Sequence, residues 1–273
     1  MTALARQNAF LDTSTREAAV RWDDLLTLQV DLFLEHEARH LASLAAWRNA
    51  SRIADVGCGN GYYLATLAMR NPEKTFVGID VSTDLIGRAA VRYAGPRLRF
   101  EQCDFLRDGA PPSDLMLLRF VLQHLPDLGA VLRQARHALH PGGSLVVIDP
   151  DFPESNCFPP APLFMGMFAA FEKWRASLGL LRDGTMRLVE RMRCFPDWRV
   201  AADDLVRVAQ RAPFRNSTTA ATFAAWIDLC ERAGGFDYPF DAVRAEVARW
   251  ADRDDAASSV ALRITVLQPI GAS

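Results

Sequence analysis

Ile53-Ala54-Asp55-Val56-Gly57-Cys58-Gly59-Asn60-Gly61 runs directly into the apolar residues Tyr62, Tyr63, Leu64 and Leu67. Small apolar residues, an acid and glycines at every second position describe a strand that ends in a very tight turn. The spacing that follows predicts a helix starting at once. Glycine tolerates positive φ and has no Cβ, so such a turn brings bare backbone against a ligand at a helix N-terminus. These nine residues do not name the ligand, and the acids downstream narrow it.

Outward from this turn, strand and helix patterns alternate. Short apolar runs at 52–56, 75–80, 98–103, 115–118 and 144–149 read as strands, and 62–70, 83–93 and 128–139 as helices. Asn71-Pro72, Gly95-Pro96, Pro111-Pro112 and Pro141-Gly142-Gly143 punctuate them. Five such strands interleaved with helices predict an α/β fold, with a doubly wound, mostly parallel sheet covered on both faces. Upstream, Ser14-Thr15-Arg16-Glu17 has capping-box form, and the apolar spacing from Trp22 to Trp47 predicts one long or two broken helices over 15–47. Downstream, 150–162 is rich in proline, and aromatic and methionine residues follow, from Phe164 through Met186 to Trp198. We read 151–215 as a helical insertion, 218–233 as a helix returning to the main body, and 261–269 as a closing strand. A sixth strand is expected near 235–240, where Pro239 interrupts it, and a helix over 242–250. The organisation expected is therefore an N-terminal helical lid (1–50), a binding core (51–150), a helical cap (151–215) and the remainder of the core (216–273).

The 273 residues carry a formal charge of -2, and half are hydrophobic. That balance leaves no electrostatic footprint for nucleic acid or an anionic membrane. The five cysteines are scattered and lack CxxC spacing, which argues for a reducing compartment and against a zinc site. No signal-peptide pattern opens the chain and no apolar stretch reaches about 18 residues. A cytoplasmic monomer or homodimer acting on a small molecule is expected.

Asp80 ends the second strand and Asp104 follows the third, so both fall at the carboxyl edge of the sheet beside the glycine turn. A carboxylate there can accept from both hydroxyls of a ribose. Asp104-Phe105 offers an acceptor for an adenine amino group beside a ring to pack on the base. Gly57, Asp80 and Asp104-Phe105 together outline an adenosine-shaped slot.

With these residues in place, the chain resembles the class I S-adenosylmethionine-dependent methyltransferases. Asp55-Val56-Gly57-Cys58-Gly59-Asn60-Gly61 matches the family's acid-x-Gly-x-Gly-x-Gly motif. Asp80 matches its ribose-binding acid and Asp104 its adenine-contacting acid. The segment 114–126 looks like its fourth-strand region, and Leu139-His140-Pro141-Gly142-Gly143 like the turn before its fifth strand. The resemblance covers about residues 50–150 in order. It implies a seven-stranded Rossmann-like sheet, S-adenosylmethionine as cofactor and S-adenosylhomocysteine as product. The cofactor set it implies is Asp55, Gly57, Gly59, Gly61, Asp80, Asp104 and Phe105, with Asp55 near the methionine portion. A nicotinamide-binding turn would be GxGxxG, but here the third glycine comes one residue early. Arg119 is a candidate for the methionine carboxylate or a supporting backbone contact, and Trp22 and Arg16 for closing over the cofactor from the N-terminal helix.

His36-Glu37-Ala38-Arg39-His40 is HExxH, the spacing of a zinc protease helix, but no third ligand identifies itself downstream. No metal is expected, and His36 becomes a candidate to face the acceptor. His124 is a candidate base or acceptor-orienting group, with packing as its other reading. Asp149 and Asp151 flank the end of the fifth strand, and Asp151 is a further candidate to hold an acceptor amine or hydroxyl. In-line methyl transfer needs alignment and exclusion of water more than a strong base. The function expected is methyl transfer to an O or N atom of a small apolar or heteroaromatic secondary metabolite. A same-fold protein that binds the cofactor without transferring methyl (a cyclase or regulatory binder) and a HExxH zinc hydrolase are the alternatives.

Overall fold

A computed structural model describes residues 16–178, 187–214, 217–233 and 236–271, with side chains from Val20 onward. Ser14 and Thr15 of the capping box, the side chains of Arg16 and Glu17, Met186 and Gly235 lie outside what is described.

Helix α1 (Arg16–Ser43) and the short α2 (Ala45–Asn49) lead into β1 (Arg52–Val56), α3 (Tyr62–Arg70), β2 (Thr75–Asp80), α4 (Thr83–Tyr93) and β3 (Leu98–Gln102). Then come α5 (Phe105–Asp108), β4 (Ser113–Arg119), a 3-10 turn at Leu122–His124, α6 (Leu128–Ala138) and β5 (Leu139–Pro150). A second 3-10 turn (Phe152–Glu154) precedes β6 (Asn156–Phe158), α7 (Pro162–Ser177), α8 (Leu188–Met192), β7 (Trp198–Arg211), α9 (Thr218–Arg232), α10 (Phe240–Ala251) and β8 (Ala257–Pro269). Ser82, Asp104, Asp127 and Ser217 each accept a backbone N–H from the first turn of the helix they precede, which is why α4, α5, α6 and α9 start where they do.

The sheet runs β3-β2-β1-β4-β5-β8, parallel through β5 and antiparallel beyond it. Strand β7 pairs with β8 along 257–269 and so fills one of its edges. β5 pairs with 262–267 and β6 with 257–259, and these two share the other edge. The result is about seven columns, mostly parallel, as expected. Leu115, Met116, Leu117 and Leu118 on β4 are all buried, the mark of a central strand covered on both faces. One face packs under α1, α3, α7, α9 and α10; the other packs under α6 and α8. Lys74, buried after α3, donates to the carbonyls of Trp47 and Ala50 (3.1 and 2.6 Å) and ties α2 to the sheet.

Two differences from expectation concern the second half. The segment 151–215 is not wholly helical, since 156–158 and 198–211 are strands. The penultimate strand is therefore β7, and 236–239 carries no strand, with α10 beginning at Phe240. β7 escaped the pattern because it is an edge strand: its register shifts between Val200 and Ala202, and only Trp198 and Val208 are buried along its length. A bulge resets the period of two on which strand reading relies. Of the helices between β7 and β8, α9 packs against α1 and α10 against α7. Among the described residues no helix is long and apolar enough to cross a membrane.

Candidate functional site

The turn after β1 holds Gly57, Gly59 and Gly61 at φ of 72, 55 and 74°. A Cβ on Gly57 would lie 2.4 Å from Val121 Cγ2, and one on Gly59 2.7 Å from Leu26 Cδ1. The left-handed backbone and this crowding both require glycine there. The turn thus needs glycine for its fit against α1 and the end of β4 as well as for any ligand. Gly57 N–H and Cys58 N–H both donate to the carbonyl of Ile79 (2.7 and 3.0 Å). Gly59 N–H donates to Asp80 Oδ2 and Ser82 N–H to Asp80 Oδ1, each at 2.9 Å. Each carboxylate oxygen keeps lone-pair capacity beyond that one bond.

Asn60 fastens α1 to the turn. Its Nδ2 donates to Asp23 Oδ1 at 2.8 Å, and Arg92 Nη1 of α4 donates to both oxygens of Asp23 at 2.9 and 2.8 Å. With α1 clamped there, Trp22, Leu25, Leu26, Gln29 and Val30 line the same cavity as the turn.

At the end of β4, Arg119 is buried against Glu37, which has no solvent exposure; Nε lies 3.0 Å from both carboxylate oxygens. Nη2 donates to the Gln29 carbonyl at 3.2 Å, and the guanidinium lies 4.4 Å from the Tyr63 ring and 4.2 Å from that of Phe120. Phe120 itself sits at φ 61°. For a bulky residue that conformation is strained, and strain of this kind is held where the surrounding structure over-determines it. Asp55 is only 2 % exposed, and burial pushes its carboxyl up to about 7, although Arg119 pulls it down. Burial likewise raises Asp80 and Glu37.

These groups line one cavity of about 370 Å³. Asp55, Gly57, Gly59, Asp80, Asp104, Phe105, Arg119, Trp22 and His124 all line it. The outer wall is aromatic: Phe152, Phe168, Phe171 and Trp226, with Phe168 and Trp226 edge-to-face at 5.5 Å. Burial and the charge of Arg175 push His124 down to about 3, so its imidazole is neutral near pH 7.

Other expected residues lie elsewhere. Gly61 is the left-handed residue before α3, packed near Ala89 and Phe100 rather than at the cavity. His36 does not line the cavity; in the HExxH helix Glu37 points to Arg119, and His40 lies 3.2 Å from Asp204 on β7. Asp151 is buried in an ion pair with Arg263 at 2.9 Å and lines neither the cavity nor its neighbour. Its carboxylate fastens β5 to β8 instead of meeting an acceptor. Glu37, Gln123 and the aromatic wall contributed by Phe152 and Trp226 were not foreseen. Only Trp226, on a helical apolar pattern, left a signal in the sequence.

The donor set fits S-adenosylmethionine. Asp80 has lone pairs left for the ribose hydroxyls, Asp104 stands beside the Phe105 ring, and Asp55 offers a carboxylate to a cationic amine. A family model described as "Methyltransferase domain" matches residues 54–145. A trans-aconitate 2-methyltransferase of Deinococcus radiodurans is 37 % identical over 110 residues, 40 % of this chain and 42 % of the relative. The chain thus spans less than half the length of that curated relative. A methyltransferase from Geobacter sulfurreducens, solved with S-adenosyl-L-homocysteine, superposes with a TM-score of 0.51 at 17 % identity, covering 86 % of this chain and 90 % of that one. The [4+2]-cyclase SpnF superposes with a TM-score of 0.52 at 20 % identity, covering 85 and 80 %. At those identities the likeness speaks for the fold alone. The motif, the cavity and the matched domain agree: residues 54–145 are a methyltransferase domain, on a fold shared with S-adenosylmethionine-dependent methyltransferases of class I.

Proposed function

We propose that this protein transfers a methyl group from S-adenosylmethionine to an O or N atom of a small apolar or heteroaromatic metabolite. One observation carries the reading: a single cavity is lined at one end by Asp80, Asp104 and the glycine turn and at the other by Phe152, Phe168 and Trp226. When bound, the cofactor supplies an electrophilic methyl on a cationic sulfur. Asp80 accepts from the ribose, Phe105 packs on the base, and Asp55 faces the amino-acid end. Arg119, held by Glu37, fixes the floor between the two halves. Trp22 and Leu26 above the turn and the aromatic wall opposite exclude water, which strengthens the alignment that in-line transfer needs.

His124, neutral at physiological pH, offers a hydrogen-bonding ring to the acceptor; with its basicity so depressed it orients the acceptor more than it takes a proton. The relatives named for trans-aconitate favour a second reading, an anionic acceptor. The apolar outer wall supports the first. Turnover with phenols, heteroaromatic amines and trans-aconitate, read as release of S-adenosylhomocysteine and methylated product by mass spectrometry, tests both. Tight binding of the cofactor with no methylated product from any of them would favour a cyclase or binder instead. Failure to bind S-adenosylhomocysteine at all would overturn the proposal.

A further inference from the structure

A second cavity of about 650 Å³ lies between α7 and the chain that leaves β5. Gln123, Pro150, Phe152 and Phe168 line both cavities. The two chambers therefore share a wall, at whose centre Phe152 and Phe168 stack with centroids 4.0 Å apart.

The inner surface of this second chamber is charged. Arg175, 2 % exposed, donates from Nη1 to Gln123 Oε1 at 2.9 Å and from Nη2 to Glu172 Oε1 at 2.6 Å. Glu172 Oε2, Arg175 Nε and both oxygens of Asp149 are buried without a well-formed hydrogen bond. Asp149 is 1 % exposed, and the backbone amide of Gln123 leans toward it. Buried polar atoms in folded proteins are nearly always satisfied, and a cluster that is not calls for an explanation. These four atoms line a chamber large enough to admit a ligand group, and three of them are acceptors.

We infer that this chamber receives a nitrogen group rich in hydrogen-bond donors, a protonated amine or amidine, carried by the methyl acceptor. The inference rests on reading the neighbouring cavity as the site of methyl transfer. An anion is disfavoured because it would meet the buried oxygens of two carboxylates, while both Nη atoms of Arg175 are engaged by Gln123 and Glu172 and the other cation on the lining, Lys173, is exposed. A donor-rich cation satisfies Asp149 and Glu172 Oε2 together and offsets the burial that pushes the Asp149 carboxyl well up. The rest of the acceptor would lie along Gln123 and the stacked rings, which places its reacting atom in the first cavity. Anchor and reacting atom are then different parts of one molecule.

Matched one-ring probes test the chemistry. Benzamidine, benzylamine and benzoate are titrated calorimetrically into the full chain loaded with S-adenosylhomocysteine, and into Asp149→Asn, Glu172→Gln and Ala169→Phe, the last on the exposed rim of the chamber. We expect saturable benzamidine binding, benzoate weaker by about tenfold or more, and a similar loss of benzamidine affinity in each variant. S-adenosylhomocysteine should bind all four proteins within about twofold, since none of these residues lines the cofactor end. No benzamidine binding, benzoate as tight as benzamidine, or variants without effect would overturn the inference and leave the transferase reading intact. Should Asp149→Asn lose S-adenosylhomocysteine through misfolding, the other two variants decide. If the unaltered protein fails to bind S-adenosylhomocysteine, the transferase reading falls first.

Discussion

Raising the pH from about 6 to about 8 should tighten the binding of S-adenosylhomocysteine roughly tenfold, because the Asp55 carboxyl must be ionised to hold a cationic amine. Burial raises this group from 3.8 to about 7. About a tenth is ionised one unit below that value and about nine tenths one unit above, a ratio near ten. The same shift fixes the sign of the effect on folding. The folded state holds its proton to higher pH than the unfolded chain, so this contribution to stability is full below about pH 4 and is lost as the pH rises to about 7. The rise from 3.8 to about 7 corresponds to roughly 4 kcal/mol. Binding of a cation opposes that loss and recovers part of it. Calorimetric titration across this range reads the effect directly, with Asp55→Asn as control. The variant should bind more weakly at high pH and show a flat profile. A flat profile in the unaltered protein, or one that persists in Asp55→Asn, would refute the assignment of Asp55 to the amine.

Asp80→Ala should weaken S-adenosylhomocysteine by roughly 10- to 100-fold through the loss of sheltered hydrogen bonds; an unchanged dissociation constant would count against the ribose assignment. Glu37→Gln strands Arg119 without its buried partner, so thermal denaturation should show a loss of about 3 kcal/mol. That corresponds to a fall in Tm of roughly 6–12 °C for a chain of this size, and a melting curve unmoved by the change would show that Arg119 is held by its other contacts. Gly57→Ala should abolish cofactor binding, and Val121→Ala in the same chain should restore part of it by removing the methyl that the new Cβ meets. Equal loss in the single and double variants would assign the defect to the left-handed backbone alone.

The parallel half of the fold was legible because strand patterns alternate with helical ones, and Asn71-Pro72 and Gly95-Pro96 close the helices α3 and α4. β1, α3, β2 and α4 begin and end where the spacing put them. The cofactor end was legible for the same reason: the acids follow strands whose ends the pattern already marked. The acceptor end was not. Glu37 reaches Arg119 across 82 positions of chain, and nothing local distinguishes that contact from the HExxH reading, which takes the same glutamate for metal chemistry. Asp151 shows the opposite failure. Its place after a strand suggested a site, while a partner 112 positions away, Arg263, makes it a fastening. The Asp149, Glu172 and Arg175 cluster likewise assembles from two elements that share no motif. Local periodicity reports on faces and ends, and pairings between distant charges lie beyond it.

Strand β8 is the member that β5, β6 and β7 all need, and Gln268 bonds Ser144 from 124 positions away. During synthesis the parallel strands are complete long before that partner leaves the ribosome. Until then the apolar run Leu145-Val146-Val147-Ile148 presents an open edge, the kind that recruits strands from other chains. A nascent or truncated chain stopped before Ala257 would be exposed in this way even with its cofactor end fully formed. Its yield in cells should therefore depend on chaperones that shield an unpaired edge.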